Sequence, residues 1–440
     1  MQGVAATHYP KIFISNMEIL YSKNREIKSI NEFIGQENTL KDLKINEIID
    51  LFDSISKYWM SSKCKVNNLF INEGLGFLIP WLKYNNIAKI VEKNFSNPLV
   101  LDEPCKDNLD NSYIFSRPLG VAVHWIAGNV PVLGVISLFQ TLLTKNKSIV
   151  KVPKSYKEIL PEILYDLSLS NFFNDSQKKH LDILLSNIFL IYIEREDIKS
   201  QKLLSVSADI RVAWGAKEAI ESIIGLPKKT NCRDIIFGPK VSLSIATKES
   251  LQSNDDLDFL SKSFANDVFT FDQAGCNSPH NLIIEKGSNF NLDDIADQLS
   301  NAFRKKTKSN IFNILPIDNF NVLSKRFLYQ SDLQKNVIFQ DNQWNIFINY
   351  NRNINIEDPL YCRSIFLSEV KNINDIADHM PKNIQSIGIL ASGERKIEII
   401  KSLSDYGVDR FPDIGKMSIF SHPWDGYLPF QQMVKWISTN

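Results

Sequence analysis

Short apolar runs alternate with amphipathic stretches from residue 118 to about residue 240. The runs GVAVHWIAG, KSIVKVP, NIFLIYI, DIRVAWG and RDIIFGP are typical of buried strands. Between the first two, VLGVISLFQTLLTKN predicts a helix with one apolar face formed by Leu133, Ile136, Phe139, Leu142 and Leu143. Strands that alternate with helices predict a doubly wound parallel sheet, and ligands of such sheets bind at the carboxyl ends of the strands. We therefore predict a nucleotide site in this part of the chain.

A second series of the same kind begins near residue 240. Its strand-like runs are VSLSIAT, NLIIEKG, WNIFINY, RSIFLSEV and IQSIGILASG, and its helix-like stretches are DDLDFLSKSFAND, LDDIADQLSNAFRKK and ERKIEIIKSLSDYG. With 440 residues, the chain is long for one hydrophobic core. The predicted fold class is α/β, with two α/β lobes and a crevice between them. Residues 1 to about 115 read as helices with polar joins, for example INEIIDLFDSISKYWM.

The charge balance excludes whole classes of partner. Lys plus Arg and Asp plus Glu are 50 each, so no global field favours nucleic acid or an anionic membrane. The N-terminal stretch MQGVAATHYPKIF lacks the pattern of a signal peptide, and the longest apolar stretches are too short to cross a bilayer. We expect a cytoplasmic protein with a small-molecule substrate, no nucleic acid and no membrane insertion.

The five cysteines are scattered without a CxxC pair or a Cys/His cluster, which argues against a disulfide framework and against a metal site. Cys276, in the stretch DQAGCNSPHN, lies between a predicted helix and a predicted strand. It is either a buried small side chain or a nucleophile whose pKa is lowered by a helix N-terminus or by nearby donors. His280 is a weaker candidate for its base, because it would point away along the strand. His124, inside an apolar strand, is better explained as a hydrogen-bonded core residue.

Four further positions lie where strands of the first series end. Asn129, with Pro131 two residues later, is either the N-cap of the next helix or the amide donor to an oxyanion. Lys151 and Lys154 in VKVPKS end a strand where the ribose and phosphates of a nucleotide would lie, or they are surface lysines. Gly215, in AWGAKEA, provides a strand-to-helix turn whose amides could meet a pyrophosphate, although an ordinary turn needs the same glycine. The chain has no GxGxxG.

Three segments together resemble the aldehyde dehydrogenase superfamily, and within it the LuxC-like acyl-CoA reductase branch of long-chain fatty-acid reductases. The first is RPLGVAVHWIAGNVPVLGVISLFQTLLTKNKSIVKVPKS, the second is VFTFDQAGCNSPHNLII, and the third is the tail YGVDRFPDIGKMSIFSHPWDGY. The resemblance covers residues 117 to 430. It implies an aldehyde dehydrogenase-like fold with a Rossmann-like cofactor domain and a catalytic thiol domain. The implied limits are residues 1–239 for the helical region plus cofactor domain, 240–410 for the catalytic domain, and 411–440 for a segment that returns to their interface.

The resemblance also implies roles for residues. Cys276 would be the nucleophile and Asn129 the oxyanion donor, Lys151 would contact the adenosine ribose, and Gly215 with Ala216 would form the pyrophosphate turn. Two departures from the family pattern are specific. Ile236, in IIFGPK, takes the position of the glutamate of hydrolytic members, and Lys154 takes that of a glutamate in NAD-preferring members.

These departures favour reduction of an acyl thioester, such as an acyl-CoA, to an aldehyde, with NADPH (NADP) as cofactor and a covalent thioester on Cys276. The resemblance further implies a homo-oligomer and a possible acyltransferase or acyl-protein partner. One alternative is an NAD(P)-dependent dehydrogenase that oxidises an aldehyde to an acid. The other is a catalytically silent member of the fold that binds a nucleotide or a partner.

Overall fold

The computed structural model describes residues 12–14, 17–23, 29–72, 74–107, 110, 112–130, 132–308, 316–351 and 354–439. The strands are β1 (Ile12–Ile14), β2 (Met17–Ser22), β3 (Cys105–Lys106), β4 (Tyr113–Pro118), β5 (Val121–Trp125), β6 (Lys147–Lys151), β7 (Ile188–Ile193), β8 (Ile210–Trp214), β9 (Arg233–Phe237), β10 (Val241–Ala246), β11 (Pro279–Glu285), β12 (Lys335–Gln340), β13 (Trp344–Asn349), β14 (Ser364–Val370), β15 (Ile384–Leu390) and β16 (Val434–Thr439).

The helices alternate with these strands. They are α1 (Ile30–Gly35), α2 (Ile45–Trp59), α3 (Asn67–Asn72), α4 (Leu78–Trp81), α5 (Tyr84–Asn94), α6 (Val132–Leu143), α7 (Ile159–Leu169), α8 (Asp175–Ser186), α9 (Ile198–Ser207), α10 (Lys217–Ile224), α11 (Asn254–Phe269), α12 (Leu292–Thr307), α13 (Pro316–Gln330), α14 (Gly393–Leu403) and α15 (Pro429–Gln432). None of the helices in the described part of the chain is long and apolar enough to cross a membrane.

The chain divides into two compact units, one built from residues up to Gly238 and from Tyr427 onward, the other from Pro239–Gly426. The main sheet of the first unit has the strand order β1-β2-β7-β6-β5-β8-β9. The five neighbouring strands β7, β6, β5, β8 and β9 run parallel, and β2 pairs with β7 antiparallel. From β5 the chain proceeds outward through β6 and β7, then returns to the other side of β5 for β8 and β9. The carboxyl ends of β5 and β8 therefore flank the switch point where such sheets bind ligands.

The prediction of helices throughout residues 1 to about 115 is wrong in part. Met17–Ser22 is a strand whose backbone hydrogen bonds go to β7, far away in sequence, so no local pattern reveals them. Tyr113–Pro118 is also a strand, and it pairs with the C-terminal strand β16 in a separate three-stranded sheet.

Helix α6 is buried almost all round, and not on one face as its apolar spacing suggested. Two of its polar side chains, Ser137 and Thr141, form internal hydrogen bonds. The Oγ of Ser137 lies 2.8 Å from Nδ1 of His124, and Oγ1 of Thr141 lies 3.3 Å from Nε2 of the same ring. His124 is therefore a hydrogen-bonded core residue, as predicted, and burial lowers its pKa to about 3.

The sheet of the second unit has the order β12-β13-β14-β11-β10-β15, and all neighbours except β12 and β13 run parallel. Helices α11 and α12 cover one face, where Phe264 and Phe303 belong to the core. Helix α14 covers the other face through Ile399 and Leu403. Because the strands are parallel, the starts of β10, β11 and β15 lie at the same edge, which we call the amino edge of this sheet.

Candidate active site

Cys276 lies at the amino edge of the second sheet, in the loop that precedes β11. The hydroxyl of Ser242, near the start of β10, donates to the Cys276 carbonyl at 2.8 Å. Asn277 donates from Nδ2 to the Met417 carbonyl at 2.9 Å. A Cβ atom at Gly275 would lie 2.6 Å from Oδ1 of Asn277, so this loop conformation requires a glycine before the cysteine. The prediction that Cys276 lies at an element end, outside the middle of a core element, is confirmed.

One polar residue, Gln385, contacts the Cys276 sulfur, and two charged residues, Asp425 and Arg410, act on its charge. Nε2 of Gln385, near the start of β15, lies 3.2 Å from Sγ and also donates to the buried carboxylate of Asp425. The guanidinium of Arg410 lies 4.3 Å over the Trp424 ring, and its Nη2 donates to the Ile419 carbonyl at 2.9 Å. The thiol therefore has an amide N–H donor in contact, and a carboxylate and a guanidinium that influence its charge.

These surroundings raise the pKa of the Cys276 thiol to about 12. Burial is the main cause and the charge of Asp425 adds to it, while the Gln385 hydrogen bond and the Arg410 charge act in the opposite direction. The expectation of a lowered pKa is therefore wrong for this state. The elements next to Cys276 in sequence are the short 3-10 turn Thr270–Gln273, which ends before it, and the strand β11, which follows it, so no helix begins directly after the cysteine.

His280, on β11, is almost fully buried, and Nδ1 has no hydrogen-bond partner within the described residues. Its ring meets that of Tyr361 edge to face, with centroids 5.0 Å apart. Burial lowers the pKa of the imidazole to about 3, so the ring is neutral. Both residues and Ser242 line a cavity of about 230 Å³ at the amino edge of the sheet.

Two three-residue segments with left-handed backbone angles support this edge. Phe271, Asp272 and Gln273 have φ values of 51°, 52° and 65°, and residues 361–363 have φ between 53° and 55°. The Gln273 side chain donates to the carbonyls of Pro279 and Ser364 at 2.8 and 2.9 Å, and accepts from the Ser364 amide at 2.9 Å. Non-glycine residues in this region of the backbone map are strained and persist where surrounding contacts hold them.

The residues predicted to bind a nucleotide lie at the carboxyl ends of the strands of the first unit. Lys151 is the last residue of β6, and burial lowers the pKa of its ammonium. Lys154 is exposed in the one-turn helix Lys154–Tyr156. Ser155 donates to the Gly128 carbonyl at 2.9 Å, and a Cβ atom at Gly128 would lie 2.8 Å from that hydroxyl. The loops after β5 and β6 thus approach each other closely.

Gly215 follows β8, and its amide donates to the Phe237 carbonyl at 3.2 Å. A Cβ atom there would lie 3.2 Å from Cβ of Ala219, in the first turn of α10. Ala216 is the N-cap of α10 and gives it no side-chain cap. The structure therefore leaves the start of this helix without a capping side chain, at the carboxyl edge of the first sheet.

Asn129 is exposed in the loop between β5 and α6. Pro131 lies outside the described residues, so the choice between N-cap and oxyanion donor stays open. Ile236, on β9, packs against the core of the first unit, so this position offers no carboxylate. Within the described residues, no group of three or more His, Cys, Asp or Glu side chains could hold a metal ion.

Gln385, Arg410 and Asp425 were not predicted as site residues from the sequence. Arg410 and Asp425 belong to the tail motif GVDR…WDG, whose residues had no role assigned. Gln385 interrupts an otherwise apolar strand, IQSIGIL, and a polar side chain inside a buried parallel strand was the available signal.

Comparisons with known proteins agree with the resemblance seen in the sequence. Residues 40–436 match the family model described as acyl-CoA reductase (LuxC). The chain is 25% identical over 427 residues to a long-chain acyl-protein thioester reductase 2 of Photobacterium leiognathi, covering 92% of this chain and 85% of that protein. It is 26% identical over 442 residues to the long-chain acyl-protein thioester reductase of Photorhabdus luminescens, covering 94% and 85%.

Solved structures share the fold at much lower identity. An NAD-dependent aldehyde dehydrogenase from Sinorhizobium meliloti superposes with a TM-score of 0.67 at 10% identity, covering 91% of this chain and 83% of that one. A lactaldehyde dehydrogenase gives 0.63 at 14% identity, covering 94% and 90%. The predicted aldehyde dehydrogenase-like α/β fold is thereby confirmed. Because the family model matches most of its length, the chain belongs to the acyl-CoA reductase (LuxC) family.

Proposed function

We propose that this protein reduces a long-chain acyl thioester to the aldehyde, with NADPH as cofactor, through a thioester on Cys276. The observation that carries the proposal is the contact of 3.2 Å between Nε2 of Gln385 and the Cys276 sulfur. It gives the thiol a hydrogen-bond donor at an element end, in a site where a carboxylate and a guanidinium act on its charge. The names of the relatives support a long-chain acyl group carried by a protein, and the family description supports acyl-CoA as a second donor.

In the first step, the Cys276 sulfur attacks the carbonyl carbon of the donor thioester. Because the pKa of the thiol is about 12, the thiol loses its proton as it attacks, and the departing sulfur accepts that proton. A new C–S bond forms and the bond to the donor sulfur breaks. Asn129 is proposed as the amide donor to the oxyanion of the tetrahedral intermediate. In the second step, the acyl carbon accepts a hydride, the bond to Cys276 breaks, and the aldehyde leaves while the thiolate is regenerated.

The first unit has features that fit a nicotinamide dinucleotide. The start of α10, where Ala216 gives no side-chain cap, lies at the carboxyl end of β8 beside the sheet's switch point. We assign Lys151 to the adenosine ribose, the turn of Gly215 and Ala216 to the pyrophosphate, and Lys154 to a 2′-phosphate. Because the Gly215 amide donates to the Phe237 carbonyl, the pyrophosphate would accept from the amides that follow it. When bound, the cofactor supplies the hydride.

Ile236 supports reduction over hydrolysis. Release of the acyl group to water needs a positioned base, worth typically about 10² to 10⁴-fold in rate, and an apolar side chain cannot act as one. Hydride attack on the thioester needs no such base. The thioester on Cys276 should therefore persist until the cofactor binds.

The test is turnover of tetradecanoyl-CoA with NADPH, followed by nicotinamide absorbance and by detection of tetradecanal. We expect aldehyde from the wild type and from Cys105→Ala, which changes a half-buried cysteine of the first unit. We expect none from Cys276→Ala. Wild-type activity in Cys276→Ala would refute the assignment. Formation of tetradecanoic acid from tetradecanal and NADP would favour the alternative of an aldehyde-oxidising dehydrogenase. Inactivity with every acyl donor, including an acylated protein, would favour a catalytically silent member of the fold.

A further inference from the structure

The Cys276 sulfur is contacted by a side chain whose own direction is fixed by a third residue. A carboxylate only accepts hydrogen bonds, so the amide of Gln385 must turn its NH₂ end toward Asp425. The same nitrogen lies 3.2 Å from Sγ of Cys276, which therefore receives an N–H donor. Without the carboxylate, the amide could turn over and present its oxygen to the sulfur.

Three residues near this contact carry buried polar atoms without a hydrogen-bond partner in the described part of the chain. Oε1 of Gln385, Nη1 of Arg410 and Nε1 of Trp424 are buried and have no hydrogen-bond partner in the described structure. Buried polar groups are normally paired, so such a group calls for an explanation, such as a catalytic role or a bound water or ligand. Arg410 is held rigidly, because its guanidinium stacks on Trp424 while Nη2 donates to a carbonyl.

We propose that Gln385, oriented by Asp425, is a positioning residue that directs the Cys276 sulfur. The proposal deepens the proposed function and rests on it for its purpose. Its test, however, needs neither an acyl donor nor a cofactor, because it measures the thiol itself.

The groups around Cys276 affect the stability of its thiolate in opposite directions, so their substitutions should change its reactivity in opposite directions. Asp425 disfavours the thiolate, whereas the Gln385 hydrogen bond and the Arg410 charge favour it. Tyr361 is the other ionisable group affected by Cys276, and its pKa is raised chiefly by burial. Burial raises the pKa of Asp425, and of the ion pair Lys240–Asp409, Lys240 lowers that pKa while Asp409 raises it.

The experiment is the rate of alkylation of Cys276 by iodoacetamide between pH 7 and 10, read from the mass of the Cys276 peptide. Asp425→Asn removes a charge that disfavours the thiolate and also frees the Gln385 amide to turn over. Because the Asp425 charge acts on the thiol more strongly than the Gln385 hydrogen bond does, the rate at pH 8 should rise, and adding Gln385→Ala to Asp425→Asn should then change the rate by less than about twofold. As single substitutions, Gln385→Ala and Arg410→Gln should each lower the rate, by about threefold to tenfold. Arg410→Lys, which keeps the charge, should restore most of the rate, and Gln385→Asn serves if Gln385→Ala does not fold.

Matched controls come from a similar contact elsewhere in the same unit. Gln298 on α12 donates to Asp258 on α11 at 3.4 Å, so Gln298→Ala and Asp258→Asn remove a Gln–Asp contact without touching the Cys276 loop. Both should leave the rate unchanged.

If these residues only pack against the Cys276 loop, each substitution should loosen the loop, and alkylation should be faster in Asp425→Asn, Gln385→Ala and Arg410→Gln alike. That result would overturn the proposal, and so would an unchanged rate in all three variants. If the variants change the alkylation rate in opposite directions but the protein reduces no thioester, the positioning role of Gln385 is upheld and the proposed function is rejected. If the protein reduces thioesters but the variants do not change the rate in opposite directions, the proposed function is upheld and the positioning role is rejected.

Discussion

Arg363 and Asp272 form an ion pair that joins the two left-handed segments of the second unit, with Nε of Arg363 3.0 Å from Oδ1 of Asp272. Arg363 is fully buried, and its guanidinium lies 4.4 Å over the Phe269 ring. The pair connects the segment before Cys276 to the segment before β14. It therefore holds two strained stretches of backbone against each other beside the proposed nucleophile.

Removing the carboxylate should cost more stability than a surface ion pair does. Asp272→Ala leaves the Arg363 charge buried without this partner, a loss that reaches about 3 to 5 kcal/mol for fully buried pairs. Because the Asp272 side chain is 36% exposed, we expect about 2 to 3 kcal/mol in the free energy of unfolding from urea denaturation. Asp258→Ala, which removes an exposed pair with Lys262, is the control and should cost under about 1 kcal/mol. Equal losses in the two variants would contradict this account.

Much of the fold could be predicted from the sequence because buried parallel strands are continuously apolar. All residues of Ile188–Ile193 and Ile210–Trp214 are buried, and both were predicted as strands. Met17–Ser22 was missed because its hydrogen bonds go to a distant strand. Helices α8 and α9 were missed because their few apolar positions are outnumbered by polar ones.

The candidate site was predictable at its centre but not in its surroundings. Cys276 stands out in the sequence by its place between a helix and a strand. Gln385, in contrast, contacts it from 109 residues away in sequence, and Asp425 contacts Gln385 from a further 40 residues away. The raised pKa of the thiol follows from burial and from the Asp425 charge, and neither can be read from neighbouring residues.

Cofactor preference should depend on Lys154. Its ammonium is exposed at the end of the β6 segment, and a charge-assisted contact to a 2′-phosphate is worth roughly 1.5 to 3 kcal/mol. We expect kcat/KM to be at least about tenfold higher with NADPH than with NADH, and Lys154→Glu to erase or reverse this ratio. Lys199→Glu, an equivalent change at an exposed lysine of α9, should not alter it. If kcat/KM is equal with NADPH and NADH, and Lys154→Glu does not change either value, Lys154 is an ordinary surface lysine.

Asn129→Ala should slow acylation of Cys276 without removing the reactive thiol. If its amide is the side-chain donor to the oxyanion, the loss is about 3 kcal/mol, or about 10² in rate. The measurement is the rate at which tetradecanoyl-CoA adds one acyl group to the protein, alongside iodoacetamide alkylation, which should not change. A variant that loses only thermal stability would identify Asn129 as the N-cap of α6 instead.

Buried His124 should make the first unit sensitive to acid. Its pKa in the folded state is about 3, below the ordinary value of 6.5, so below pH 6.5 the unfolded state binds a proton that the folded state does not. Stability due to this group is complete above pH 6.5 and falls by about 1.4 kcal/mol per pH unit down to about pH 3. His124→Gln should reduce that slope in urea denaturation between pH 6 and 4.5, whereas His379→Gln, at an exposed site, should not. Parallel slopes for wild type and His124→Gln would refute the prediction.

The most direct measurement is the mass of the protein after treatment with tetradecanoyl-CoA in the absence of nicotinamide. The account predicts a persistent gain of one tetradecanoyl group on the Cys276 peptide, removable by hydroxylamine, absent from Cys276→Ala, and discharged as tetradecanal when NADPH is added. Persistence is expected because Ile236 offers no base for hydrolysis. Rapid release of free tetradecanoic acid before NADPH is added, or acylation that survives in Cys276→Ala, would contradict the central claim.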